Sequence, residues 1–317
     1  MVQNKAYHYS DISLIPNKGI LKSRSQADTC IKLGDKTFML PVVPSNMTCT
    51  IDEGLAHTLA YEGYFYVMHR FSNTTGFVNT ALTNQHYLSI SIGVKEEDRR
   101  FLNTLSKLGI VPEYITLDIA HGHSLQSLDT IKYVKDLLPT TFLIAGNIAT
   151  ANAAYDLREA GADAVKVGVG QGNACTTKDK TGFTVPMFTS VQDVFKARIG
   201  IPIIADGGIR CNGDIAKALV AGADLVMCGS LFAECSDSPS DTFVDNTGQI
   251  YKMYFGSASE HNKADKKHIE GTLKRIPQNT MTYLQKLEEI RQDLSSSISY
   301  SGGTTLRDLR EVNYYVR

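Results

Sequence analysis

Eight short runs of apolar and β-branched residues recur along the chain, and no other feature limits the fold so strongly. They are Pro41–Asn46, Tyr64–Arg70, Leu88–Val94, Tyr114–Ala120, Thr141–Ile148, Ala164–Gly170, Ile201–Gly208 and Leu225–Ser230. Each is nearly continuous in apolar character, as a strand buried on both faces of a parallel sheet must be. Most begin 23 to 27 residues after the one before, room for one strand, one helix and two short loops. The interval from Ala164 to Ile201 is 37 residues, so the loop after the sixth run carries extra material. Eight successive units predict a (β/α)8 barrel, the TIM-barrel architecture, since doubly wound open sheets rarely use so many. Residues 1–317 are expected to form a single barrel domain.

The intervening segments carry helix signals. Ser124 can cap the stretch 125–138, and Thr150 can cap 151–161. The tetrapeptide Ala-Gly-Ala-Asp occurs at 160–163 and again at 221–224, each time between a helix and a strand. Gly161 and Gly222 therefore fall where a helix end favours positive φ. After the eighth run come a polar segment (Asp237–Gly248), an irregular one (Gly256–Gln278) and a helix near Thr280–Ser297.

Composition removes several classes of function. A net charge of -1 gives no basic footprint for nucleic acid or a membrane surface. No run of about 18 apolar residues is present, and Met1–Lys5 does not start a signal peptide. The six cysteines form no CxxC or disulfide framework, which suggests reduced thiols and a cytoplasmic protein. No HExxH or Cys/His grouping suggests zinc.

In such barrels the active site lies in the loops after the strands, with phosphate often bound after the seventh and eighth. Those places read Asp206-Gly207-Gly208 and Gly229-Ser230. Paired glycines let backbone N–H groups approach a phosphate, although they also serve tight turns. Asp206 can accept both hydroxyls of a ribose. The sixth run opens a loop, about 168–186, that begins Gly168-Val169-Gly170-Gln171-Gly172-Asn173-Ala174-Cys175-Thr176-Thr177. It presents a cysteine, a strong nucleophile, beside hydroxyls able to move protons. Cys228, inside the eighth run, suits a small buried residue instead.

The stretch Val165–Thr177 resembles the signature of the IMP dehydrogenase/GMP reductase family. Asn46-Met47, Asp118, Asp206-Gly207-Gly208 and Gly229-Ser230 are similar to the nucleotide-site motifs of that family, and the likeness extends from Leu14-Ile15-Pro16 to Tyr300-Ser301-Gly302-Gly303. The chain leaves no room for the regulatory domains that dehydrogenases of the family usually insert. Its segment after Gly256-Ser257-Ala258-Ser259-Glu260 has no Arg-Tyr pair and ends in Ile269-Glu270-Gly271, which resembles the reductase branch of short bacterial type. A dehydrogenase lacking regulatory domains, a flavin-binding barrel oxidoreductase and a nucleotide-binding pseudoenzyme that senses purines are the alternatives.

The resemblance implies NADPH-dependent conversion of GMP to IMP and ammonia through a thioimidate on Cys175, with Thr177 and Glu270 protonating the departing amine. It implies that Asp206 holds the ribose, that Gly207, Gly208, Gly229 and Ser230 hold the phosphate, and that Gly256, Ser257, Lys267 and Gly271 contact the base. NADPH would meet Arg70, Asp118, Ile119, Ala120, Val169 and Gly170. Ser23, Arg24 and Tyr300–Gly303 would reach the cofactor of a neighbouring subunit in a homotetramer. Carbonyls of Gly170, Gly172 and Cys175 would bind a monovalent cation, potassium, and the flap about 256–278 would be mobile. The chain departs from the family pattern at Gln171 (usually proline), Asn173, Ser45, Lys267 and after Gly182, where a second glycine is missing.

Overall fold

The computed structural model describes residues 5–71, 74–257, 259 and 269–317. Seven of the expected strands form one parallel sheet: β1 (Val42–Pro44), β2 (Ser89–Ile92), β3 (Tyr114–Asp118), β4 (Phe142–Ile148), β5 (Ala164–Val167), β6 (Ile203–Asp206) and β7 (Leu225–Cys228). They hydrogen-bond in the order β2-β3-β4-β5-β6-β7-β1, so the last strand returns to the first. Val226 lies opposite both Val42 of β1 and Ala205 of β6.

The gap between β1 and β2 is where the second apolar run sits, and here the structure differs from the sequence expectation. Residues 64–69 form no strand ladder, although Phe65, Tyr66, Val67 and Met68 are fully buried. Met68 donates one backbone bond to Ser89 at 3.2 Å. Tyrosine hydroxyls take over much of the remaining pairing. The Tyr66 N–H donates to the Tyr87 hydroxyl (3.0 Å), the Tyr87 hydroxyl to the Tyr64 carbonyl (2.7 Å), and the Tyr66 hydroxyl to the Tyr87 carbonyl (2.9 Å). A stave made this way satisfies buried polar groups without a continuous strand ladder. Periodicity could not reveal it, because the residue pattern is that of a buried strand.

The sheet is curled. Asn46, just beyond β1, donates its amide to Ser91 of β2 (3.1 Å) and to Asp118 at the end of β3 (3.0 Å). Lys166 of β5 reaches Asp118 on one side and Asp206 of β6 on the other. Side chains from strands far apart in the sheet thus meet inside the curve, as in a TIM barrel.

The helices are capped as their sequences require. Ser124 accepts the N–H of Ser127 and opens Leu125–Leu137; Thr150 accepts that of Ala153 and opens Ala151–Glu159. A cap of this kind is worth about 1 kcal/mol. Gly161 and Gly222 both have φ of 113°. A Cβ on Gly222 would run into the Phe195 ring, so packing and dihedral both require glycine. The aspartates of the two repeated tetrapeptides do the same work. Asp163 accepts the N–H of Leu143 on its side chain (2.7 Å) and donates its own N–H to the Leu143 carbonyl (2.8 Å). Asp224 does so with Ile203, at 2.9 and 2.8 Å.

Three antiparallel strands, β8 (Thr242–Val244), β9 (Ile250–Phe255) and β10 (Leu273–Pro277), stand beside the barrel mouth. Tyr254, Phe255 and Ile276 of this sheet pack with Cys49, Ala174 and Ala233 in a small apolar cluster separate from the main core. The C-terminal helix, Tyr283–Ser301, begins at a Thr282 capping box and ends at Gly302 with φ of 81°.

Candidate active site

A cleft of about 320 Å³ opens at the C-terminal ends of the strands, a volume suited to a small-molecule ligand. Cys175 is the one cysteine that lines it. Burial pushes the Cys49 thiol up to about 11 and the Cys235 thiol up to about 12, and pushes Cys228 still higher, so these three stay protonated and chemically quiet.

The loop carrying Cys175 is stitched down on both sides. Gly168 has φ of 150°, and a Cβ there would land on the Asp206 carbonyl oxygen. Gly207, with φ of 105°, leaves only 3.1 Å between a would-be Cβ and the Gln171 backbone, and Gly208 donates its N–H to the Gln171 carbonyl at 3.1 Å. Where the family pattern is broken, the chain makes its own brace. The Gln171 amide donates to Thr184 Oγ1 at 2.5 Å, and that hydroxyl donates to the Val169 carbonyl at 2.8 Å. The long interval after β5 also holds the helices Thr177–Thr181 and Met187–Lys196.

The segment from Ile269 to Lys274 lies antiparallel to this loop. Thr176 donates its N–H to the Glu270 carbonyl, Thr272 donates to the Ala174 carbonyl (both 2.9 Å), and Cys175 pairs with Gly271. The Lys180 ammonium adds a bond to the Ile269 carbonyl, and the Lys274 ammonium one to the Asn173 carbonyl. This zipper sets the Glu270 side chain against Thr177. The Cys175 thiol donates to Thr177 Oγ1 at 3.2 Å, and Thr177 Oγ1 donates to Glu270 Oε2 at 2.5 Å. A continuous path for a proton thus runs from sulfur to carboxylate.

The same cleft holds a charge cluster around a buried lysine. Lys166 is 2% exposed, and its ammonium donates to Asp118 Oδ1 at 2.7 Å and to Asp206 Oδ2 at 2.6 Å. Burial alone would pull the lysine down and push Asp118 up. The paired carboxylates instead hold Lys166 above its usual range, while Lys166, with Arg70 and Asn46, holds Asp118 below its own. Asn147 donates its amide to the same Asp206 oxygen at 2.9 Å and to the Gly168 carbonyl at 2.7 Å. Both partners of Asp206 use Oδ2.

Asp206, Gly207, Gly208, Gly229, Ser230, Gly256, Ser257, Cys175, Thr177 and Glu270 all line the cleft, as do Arg70, Asp118, Ile119, Ala120, Gly170 and Gly172. Val169 and Gly271 are beside it without lining it, and Lys267 lies outside the described residues. Ser23 and Arg24 are not brought to this cleft. The Arg24 guanidinium instead donates to the Ser296 and Tyr300 hydroxyls of the C-terminal helix, both at 3.1 Å. Sequence reasoning missed Lys166, Asn147 and Tyr254. The first two were legible as a charge and an amide inside runs otherwise apolar. Tyr254 is 4% exposed and lines the cleft, with its hydroxyl where a Cβ on Gly229 would fall.

A family model described as IMP dehydrogenase / GMP reductase domain matches residues 6–317. The chain belongs to this family. Its relatives include proteins named GMP reductase from Lactococcus lactis subsp. cremoris (strain SK11), 48% identical over 317 residues, and from Bacillus subtilis (strain 168), 48% identical over 313 residues. These alignments cover 99% and 98% of this chain and 95% of each relative. A third, from Enterococcus faecalis, is 48% identical over 98% of this chain and 96% of its own length. No helix among the described residues is long and apolar enough to cross a membrane.

Proposed function

We propose that this protein is a GMP reductase, converting GMP and NADPH to IMP, ammonia and NADP⁺ in the cytoplasm. The observation that carries this reading is the hydrogen-bonded series Cys175, Thr177, Glu270, in which an acid from outside the barrel is brought to the nucleophile. Phosphate fits the Gly207-Gly208 and Gly229-Ser230 turns, with Tyr254 above Gly229, and the open Oδ1 of Asp206 suits a ribose diol. Gly208 spends its N–H on Gln171, so the phosphate contact there falls to neighbouring amides. The base is assigned to the space over Cys175, against Gly256, Ser257 and Gly271.

The thiol proton passes to Thr177 as the Thr177 hydroxyl proton passes to Glu270, and the sulfur bonds to C2 of the purine. The proton then returns along the same path to the amine, which departs as ammonia and leaves a thioimidate on Cys175. Ammonia leaves poorly unless protonated, and a positioned acid contributes about 10²–10⁴-fold. NADPH, when bound, would supply the hydride that C2 needs, and Cys175 is the group that then departs as thiolate. Arg70, Asp118, Ile119 and Ala120 bound the side of the cleft assigned to the cofactor, with Val169 and Gly170 near. The Arg70 Nε is buried without a partner among the described residues, which fits a polar ligand there. Gly170, Gly172 and Cys175 carbonyls are assigned to potassium. The Gly172 carbonyl already accepts the Cys175 N–H at 3.0 Å and keeps one lone pair for a cation. In a homotetramer, Ser23, Arg24 and Tyr300–Gly303 would serve a neighbour's cofactor. Loss of NADPH absorbance with GMP, accompanied by ammonia, is the expected result. NADH formation from IMP and NAD⁺ at an equal or greater rate would assign the dehydrogenase reaction instead.

A further inference from the structure

Lys166 stands apart from every other lysine among the described residues. It is 2% exposed, lies in the middle of β5, and its ammonium serves two carboxylates from different strands. Asp118 comes from the end of β3, on the side assigned to the cofactor, and Asp206 from the end of β6, on the side assigned to the ribose. The carboxylate oxygens have distinct duties. Asp118 Oδ2 takes the Asn46 amide, Asp206 Oδ2 takes the Asn147 amide as well as Lys166, and Asp206 Oδ1 is left for a ligand. Two part-buried carboxylates on one buried cation form a charge-assisted network that is costly to break, because the lysine would lose both counter-charges.

We propose that Lys166 is a positioning residue for the nucleotide. It favours the ionised form of Asp118, and by holding Asp206 through Oδ2 it turns the free Oδ1 toward the substrate ribose as an acceptor. The inference rests on the reading of the cleft as a purine nucleotide site and not on the reduction itself. Without the ammonium, Asp118 still faces the Arg70 guanidinium while Asp206 keeps only the Asn147 amide, and the mutual repulsion of two carboxylates raises the proton affinity of the pair. If the proton settles on Asp206, its oxygen donates where it should accept, and the ribose contact fails. The other titratable groups facing the pair do not supply that proton in the physiological range. On the Asp118 side the facing group is the Arg70 guanidinium. Tyr9, Cys228 and Tyr254 feel the field of Asp206, and burial raises all three, so they remain neutral.

The test measures GMP binding by calorimetry from pH 6 to pH 9 in four forms of the full chain: the unmodified protein, Lys166→Met, Lys166→Arg, and Lys166→Met combined with Asp118→Asn. Tight, pH-independent binding is expected for the first. Lys166→Met should bind GMP at least about tenfold more weakly at pH 6 than at pH 9, since a carboxylate there must lose a proton first. It should also lose most of the preference for GMP over 2′-deoxy-GMP at the acid end. Lys166→Arg, which keeps the cation, and the double variant, which removes the competing carboxylate, should both recover pH-independent binding. A uniform loss at every pH in Lys166→Met, with no recovery in the double variant, would reduce Lys166 to a packing role and overturn the proposal. Should the unmodified protein bind GMP without oxidising NADPH, the assigned reaction fails while this inference stands on its own readout.

Discussion

Glu270→Gln separates the two halves of the proposed reaction. The substitution keeps the side chain's length and an oxygen able to accept from the Thr177 hydroxyl. It also leaves untouched the backbone bond from Thr176 to the Glu270 carbonyl at 2.9 Å. The zipper and the base contacts should therefore survive, and only the group that titrates is lost. What vanishes is the proton reservoir at the end of the 3.2 and 2.5 Å links from Cys175. A missing general acid costs about 10²–10⁴-fold, or roughly 2.7–5.4 kcal/mol in the barrier of the step that uses it. That step is expulsion of ammonia, so steady-state reduction of GMP should fall by this factor. Running IMP with NADP⁺ on the enzyme, at a pH high enough for the half-reaction to start from the Cys175 thiolate, forms the thioimidate and NADPH with no amine to protonate and no thiol proton to remove. Stopped-flow absorbance should find that half-reaction slowed by less than about tenfold, a small part of the general-acid effect. Equal losses in both would mean that Glu270 holds the loop and does not relay the proton, and the mechanism would need another acid.

Other outcomes follow from the same geometry. Cys175→Ala should abolish turnover while calorimetry still finds GMP bound, since ribose and phosphate contacts lie elsewhere; measurable turnover would refute covalent catalysis. Gly168→Ala forces a Cβ onto the Asp206 carbonyl, and urea unfolding should find a loss on the order of 1–3 kcal/mol together with weaker GMP binding. Cys228→Ala, deep in β7, should leave kcat/KM unchanged and cost about 1 kcal/mol of stability in the same urea measurement. Burial pulls His69 down to about 4, so the unfolded chain binds a proton that the folded chain refuses between there and the usual histidine value. Stability is then fully present above pH ~6.5 and falls by up to roughly 3 kcal/mol as the pH drops toward 4. Urea titrations of His69→Asn at pH 5 and 7.5 should show a flatter dependence, and an unchanged slope would remove His69 from the account.

The barrel was legible because buried parallel strands and amphipathic helices leave different periods in sequence, and because the caps Ser124 and Thr150 are local signals. The second stave was misread as a strand because its pairing runs through the hydroxyls of Tyr66 and Tyr87, which no apolar pattern encodes. At the site, Cys175 and the glycine turns were readable from spacing alone. Glu270 was reachable only through family likeness, since the zipper that sets it against Thr177 joins residues about a hundred positions apart. Lys166 was in plain view as a charge inside an apolar run, but its two partners come from other strands, and only closure of the barrel reveals them.

The paired Ala-Gly-Ala-Asp corners have a further consequence. Each aspartate grips the strand before its own at both N–H and C=O, at the end of the barrel opposite the cleft. Each corner is in effect a joint with its alignment pins built in. A strand that slipped by one residue would lose both pins together, so the corner rejects misalignment before the neighbouring unit is laid down. The loops at the mouth are thereby relieved of that duty. Substitutions that reshape the cleft can be sampled there while the frame below keeps its register, so chemistry and assembly answer to separate ends of the same strands.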